Sequence, residues 1–148
     1  MRAVLQRVSQ AEVRVEDRII GKIGRGFVIL LGVAKDDTEK DTAFIADKAL
    51  AMRVFADAEG KMNLALHQVG GEMLVISQFT LLADTDSGRR PSFIRAAPPE
   101  EAKRLYELFL SMVRNDGVKV ETGEFGAMMA VSLINDGPVT IVLDSRKG

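Results

Sequence analysis

The chain has no cysteine and only one histidine among its 148 residues. Without cysteine there is no disulfide, no thiolate metal site and no cysteine nucleophile, which fits a reducing compartment. The lone histidine, His67, removes every motif that needs two, including the zincin helix and the zinc-finger pair. In Leu66-His67-Gln68, ahead of Gly70-Gly71, it reads as a surface or capping residue and is given no role. Long apolar runs are also missing. The longest, Phe27 to Val33 with one glycine inside it, falls well short of the roughly 18 residues of a spanning helix, so no membrane role is expected. Neither sign of charge dominates: the net charge is −1, so any nucleic-acid contact must be local rather than drawn by the field of the whole molecule. The first residues, Met1-Arg2-Ala3-Val4-Leu5-Gln6-Arg7, alternate at once and lack the zones of a signal peptide, so the expected location is cytoplasmic.

What is present is an ordinary apolar fraction, 47%, in a chain of the commonest domain size, so one domain spanning 1–148 is expected. Residues 2–8, 11–16 and 19–23 alternate and read as antiparallel strands joined by tight turns; 27–33 is apolar on both faces and reads as the central strand. Asp36-Asp37-Thr38-Glu39 offers caps for a helix over 38–52, with Phe44, Ile45, Ala49 and Met52 at helical spacing. A turn at 57–61 and a buried strand over 72–79 follow. Residues 83–99 have no periodicity and form a long structured loop, of the kind that often carries function. Pro98-Pro99-Glu100-Glu101 opens a second helix with Leu105, Leu108, Phe109 and Met112 as its buried stripe; after Gly117 come strands at 118–122, 128–134 and 139–143. This order points to an α+β fold with mostly antiparallel sheets and helices on one side.

Two segments carry candidate chemistry. Ser77, at the end of an apolar strand, invites a serine-hydrolase reading with His67 as base. A nucleophile elbow needs glycines around the serine, however, and Ser77 is flanked by Ile76 and Gln78. Ser77 and Thr80 otherwise read as hydrogen-bonding residues at a strand end. The second segment, Asn135-Asp136-Gly137-Pro138, is either a hairpin turn between two strands or a device that presents backbone carbonyls in an unusual direction. Pro138 has no amide hydrogen to pair within a strand, and an X-Pro bond reduces the preference for trans to about 0.5–1 kcal/mol.

Ser77-Gln78-Phe79-Thr80-Leu81 and Asn135-Asp136-Gly137-Pro138-Val139-Thr140 resemble the two signature motifs of the D-aminoacyl-tRNA deacylases. Further segments look like family segments in family order: Met1 to Val8, Gly60-Lys61-Met62-Asn63, Arg89-Arg90-Pro91-Ser92-Phe93, Ala97-Pro98-Pro99 and Gly123-Glu124-Phe125-Gly126-Ala127. A related animal deacylase carries a variant of each motif, whereas this chain has the standard form of both.

The resemblance implies a barrel-like, mostly antiparallel α+β fold with two main helices packed on one side, and a homodimer acting on the aminoacylated 3′ end of tRNA. In the family the Gly-Pro bond is cis, and each subunit inserts its turn into the partner's pocket. Gly137 and Pro138 would then reject L side chains with main-chain carbonyls, admit any D side chain and also admit glycine, with Arg7 bracing the turn. The amides around Gln78, Phe79 and Thr80 are the expected oxyanion donors, with Ser77 among the catalytic group and the tRNA ribose 2′-hydroxyl helping to activate water. Thr80 as a nucleophile lacks a visible base. Phe125, with Met129 nearby, is the candidate to stack on the terminal adenine, and Arg89 and Arg90 suit phosphate contacts. No cofactor, metal or DNA partner is expected. The alternatives are a nucleic-acid-binding dimer without catalysis and a general serine esterase dependent on His67.

Overall fold

The structure, a computed structural model, describes residues 1–146, so the last two residues of the expected 1–148 domain lie outside the described residues. Chain order runs β1 (Arg2–Val15), β2 (Arg18–Ile23), β3 (Gly26–Gly32), α1 (Glu39–Ala51), β4 (Phe55–Ala56), β5 (Met62–Leu64), β6 (Glu72–Ser77), α2 (Pro99–Asn115), β7 (Val120–Thr122) and β8 (Ala130–Asp144). The main sheet follows β2-β1-β3-β6-β7, with β8 on the other edge of β1. The pairs β1 with β2, β3 and β8 are antiparallel, whereas β3 with β6 and β6 with β7 are parallel. The architecture is therefore α+β with a mixed, mostly antiparallel sheet curled toward a barrel.

The central strand is where its composition puts it. Alternation along β3 and β6 sends Phe27, Ile29, Leu31, Met73 and Val75 to one face, where they meet Ile45, Ala46 and Ala49 of α1 and Leu105, Tyr106 and Phe109 of α2. Val28, Leu74 and Ile76 point the other way and pack with Val8, Ala11, Val13 and Ile23. Both faces are covered, which is why this segment reads as a continuous apolar run. Gly26 allows the β3–β6 approach: a Cβ there would stand 1.8 Å from the Glu72 carbonyl oxygen.

Helix α1 starts as expected. Thr38 Oγ1 accepts from the Lys40 amide, and Asp41 accepts from the Thr38 amide at 2.8 Å, a reciprocal capping box. In α2 the buried stripe is Leu105, Tyr106, Phe109, Leu110 and Val113; Leu108 and Met112, expected in it, are only partly buried. The helix faces a strand layer that takes the row one residue along from the one assumed.

Two strand assignments need correction. Residues 2–8 and 11–16 are not separate strands joined by a turn: β1 is continuous from Arg2 to Val15. No glycine or proline lies between its halves. A one-residue irregularity at Ser9 resets the alternation instead, since Gln10 pairs with Ile134 and Val8 with Asn135. Likewise 128–134 and 139–143 are not a hairpin. They form one strand, β8, whose halves run in the same direction along β1. Between Val8↔Asn135 and Gln6↔Thr140, β8 advances five residues while β1 advances two, so three extra residues bulge out opposite Arg7. Other ends were also set too long: the strand expected over 72–79 stops at Ser77, that over 118–122 begins at Val120 and that over 128–134 begins at Ala130.

Candidate active site

Strand β6 delivers Ser77 to its open end, level with Leu31 of β3. The Gln78 amide continues the ladder by donating to the Leu31 carbonyl at 2.9 Å, so it is already engaged. The chain then winds into a short 3-10 turn, Phe79–Leu82. At its open start the amides of Phe79 and Thr80 donate to no acceptor among the described residues. Of the three donors expected from sequence, two are free. The Gln78 side-chain amide donates to the Thr80 hydroxyl, fixing that hydroxyl's orientation. Among the described residues no basic side chain hydrogen-bonds Thr80, and His67 sits exposed on a separate 3-10 turn, Leu66–Val69.

Beside this strand end lies a cavity of about 830 Å³, whose wall includes Ser77, Gln78, Phe79, Phe125 and Met129. Its opposite side is the loop over 83–99, tied to the end of β3 by the Lys35 amide on the Arg95 carbonyl (2.8 Å) and the Ala97 amide on the Val33 carbonyl (2.9 Å). Phe93 of that loop meets Phe79 edge-on at 5.1 Å. Phe79 is nevertheless 58% exposed, a large apolar surface left uncovered beside the free amides. A second cavity, about 710 Å³, lies between Arg2, Phe44, Leu81 and Val142.

Phe125 packs at 5.7 Å against Tyr106, which also lines the main cavity and whose hydroxyl donates to the Val75 carbonyl at 2.9 Å. Burial pushes the Tyr106 phenol up to about 12, opposed by Arg114 and aided by Glu107. An unfolded tyrosine titrates near 10. The folded state thus holds the proton that the unfolded chain has lost, so this contribution to stability is complete below about pH 10 and disappears as pH rises through about 12. Because Tyr106 is the sole tyrosine, near-ultraviolet absorbance should show phenolate forming close to pH 12 in the folded protein and near 10 in denaturant; coincident curves would contradict the buried geometry.

The bulge on β8 is a separate protrusion. Its Gly137–Pro138 bond is cis, and Asp136, Gly137 and Pro138 are all exposed. Arg7 Nε donates to the Asp136 carbonyl at 2.9 Å, Arg7 Nη1 donates to the Val54 carbonyl at 2.6 Å, and the Asp136 carboxylate stands 3.9 Å away. The base of the bulge is closed by Asn135, whose side chain accepts from the Val139 amide at 2.7 Å and donates to Thr140 Oγ1 at 3.0 Å.

The structure therefore gathers Ser77, Gln78, Phe79, Phe125 and Met129 around one cavity, with Thr80 at its margin. Arg7, Gly137 and Pro138 form a second group that does not line the cavity of its own chain, and Arg89 and Arg90 sit in the exposed loop outside the wall. Sequence reasoning missed Asn135 and Tyr106. An asparagine three residues before a proline in a turn segment is a signal for such a side-chain clamp. Nothing in the α2 pattern marked Tyr106 as a wall residue.

The family model for D-Tyr-tRNA(Tyr) deacylase matches residues 4–144. Proteins named D-aminoacyl-tRNA deacylase from Anaeromyxobacter dehalogenans (59% identical, 99% of both chains) and Dehalococcoides mccartyi (58% identical, 99% of this chain and 95% of that one) are similar over their full length. A solved structure titled c-Myc DNA Unwinding Element Binding Protein superposes with a TM-score of 0.91 at 40% identity, covering 97% of this chain and 98% of that one. Another, a probable eukaryotic D-amino acid tRNA deacylase, has a TM-score of 0.81 at 20% identity over 96% and 97%, and bears on the fold alone. A match that runs through both motif segments and all the strands between them places this chain in the D-Tyr-tRNA(Tyr) deacylase family.

Proposed function

We propose that this protein is a hydrolase that cleaves the ester between a D-amino acid and the 3′ end of tRNA, releasing free tRNA and the amino acid, with glycyl-tRNA as a further substrate. The family match over residues 4–144 carries this reading. Water adds to the ester carbonyl carbon, the bond to the ribose oxygen breaks, and that oxygen takes the proton. The tetrahedral oxyanion needs preorganised donors, and the free amides of Phe79 and Thr80 are suitably unengaged; losing one such donor typically costs about 2.7–4 kcal/mol. Among the described residues the cavity wall contains no carboxylate or imidazole to act as base, and a phenol held near 12 stays protonated. The substrate's ribose 2′-hydroxyl is accordingly assigned to assist the water, while Ser77, Gln78 and Thr80 position the ester.

Selection for the D-enantiomer falls to Gly137 and Pro138 of a partner subunit in a homodimer, their carbonyls standing where an L side chain would project. That the bulge is exposed and rigidly braced by Arg7 and Asn135, yet does not line its own cavity, supports a role in trans. Phe125 and Met129 offer the terminal adenine a stacking surface, worth about 1–3 kcal/mol per base, and Arg89 and Arg90 are placed to meet the tRNA backbone. A cytoplasmic location and a single functional unit over 1–148 complete the reading.

One solved relative is named for binding a DNA unwinding element, which favours nucleic-acid binding without turnover as the second reading. Incubating the purified protein with D-tyrosyl-, L-tyrosyl- and glycyl-tRNA separates the two. The expected result is rapid loss of the D and glycyl esters with the L ester retained. Binding of all three without selective loss would overturn the deacylase reading.

A further inference from the structure

Resting on that reading, we infer that Lys35 holds the phosphate on the 5′ side of the terminal adenosine. A tRNA end brings one negative charge per nucleotide, yet among the described residues the cavity wall is apolar or neutral except at Lys35, the one formally charged residue lining it. The backbone at this position is fixed on both sides: the Lys35 amide donates to the Arg95 carbonyl, and its carbonyl accepts from Arg146. The ammonium, in contrast, has no carboxylate within ion-pair distance among the described residues. Its cationic neighbours are committed elsewhere, Arg95 to Asp84 at 3.6 Å and Arg146 to Asp37 at 3.0 Å. Lys35 is thus an exposed lysine, anchored through its backbone and unpaired at its ammonium, beside an apolar wall where an arriving phosphate meets little competition.

The ordinary alternative is a solvated lysine whose stem merely covers part of the wall. The two differ in how substitution acts. Lys35→Gln should raise KM for D-tyrosyl-tRNA about tenfold with kcat unchanged, and should flatten the dependence of log KM on log salt by about one charge. Lys35→Arg should recover most of the loss. The discriminating probe is a pair of non-hydrolysable competitive inhibitors, the 3′-D-tyrosylamide of adenosine with and without a 5′-phosphate. Wild-type protein should bind the phosphorylated form about tenfold more tightly, and Lys35→Gln should bind both equally. Equal weakening of both inhibitors, or equal wild-type affinity for them, would overturn the assignment while leaving D-selective hydrolysis intact. Absence of D-tyrosyl-tRNA turnover in the wild type would instead remove the deacylase reading on which it rests.

Discussion

Gly137→Ala should lower kcat/KM for D-aminoacyl-tRNA about 100-fold or more while the protein still folds. Gly137 has φ +137°, a conformation that L side chains rarely adopt. A Cβ added there would lie 2.8 Å from Val139 Cγ2, 3.0 Å from Arg7 Nη2 and 3.1 Å from the Val139 amide nitrogen. Neither neighbour can yield freely, because Arg7 is held by the Val54 carbonyl and the Val139 amide by Asn135. The loop must therefore move, and a displacement of about 1 Å in a positioning element commonly costs about 100-fold in rate. Displaced carbonyls should also reject L esters less well, so the D to L ratio should fall further than affinity does. The site lies on an exposed edge, so destabilisation should be modest, on the order of 1 kcal/mol. Mixing this variant with Gln78→Ala tests the proposed cross-subunit arrangement: in a dimer that places each turn in the partner's pocket, heterodimers should gather both lesions in one site and leave the other whole, restoring activity that each variant alone lacks. Full activity of Gly137→Ala would remove the turn from the site, and no rescue on mixing would remove the cross-subunit arrangement.

The second large effect concerns stability. Asp37 is only 5% exposed, yet its carboxylate takes the Met1 ammonium at 2.7 Å, the Ala34 amide at 2.7 Å and Arg146 at 3.0 Å. Met1 also donates to Ser145 Oγ at 2.9 Å, and that hydroxyl donates to Asp41 at 2.6 Å, the same aspartate that caps α1. The beginning of β1, the end of β8 and the start of α1 are thereby fastened at one point. Asp37→Asn keeps the shape but leaves two cations facing a neutral amide, one of them buried. Removing one partner of a buried pair typically costs about 3–5 kcal/mol. Thermal unfolding at fixed protein concentration should show a fall in Tm on the order of 10 °C. The kcat for hydrolysis assayed well below that temperature should be unchanged, because this cluster does not line the main cavity. A Tm within a degree of wild type would show that solvent already shields the cluster.

Periodicity recovered those parts of the fold whose burial is one-sided or complete. The run Phe27 to Val33 and the capped helix after Thr38 were legible because local sequence and tertiary environment ask for the same thing. The two long strands were misread for one shared reason. Ser9 on β1 and Asp136 to Val139 on β8 break the alternation, and a broken alternation looks the same whether the chain turns back or bulges and continues. Only the pairing partner decides, and the partners are more than a hundred residues apart in sequence. The site shows a similar division. Residues 77–80 could be read as a strand end rich in hydrogen-bonding groups, but which amides remain free depends on Leu31, which takes that of Gln78. Lys35 carried no signal at all, since its standing comes from what surrounds it rather than from any motif.

The packing of Tyr106 gives the molecule an optical reporter of its own. It is the one tyrosine in a chain with no tryptophan, so its emission is neither averaged over several rings nor drained by energy transfer to an indole. It lines the main cavity and lies against Phe125, the ring assigned to the adenine. Entry of a nucleoside should therefore change the quantum yield of a single fluorophore, allowing occupancy of the cavity to be followed in real time on unlabelled protein, with no substitution anywhere in the chain.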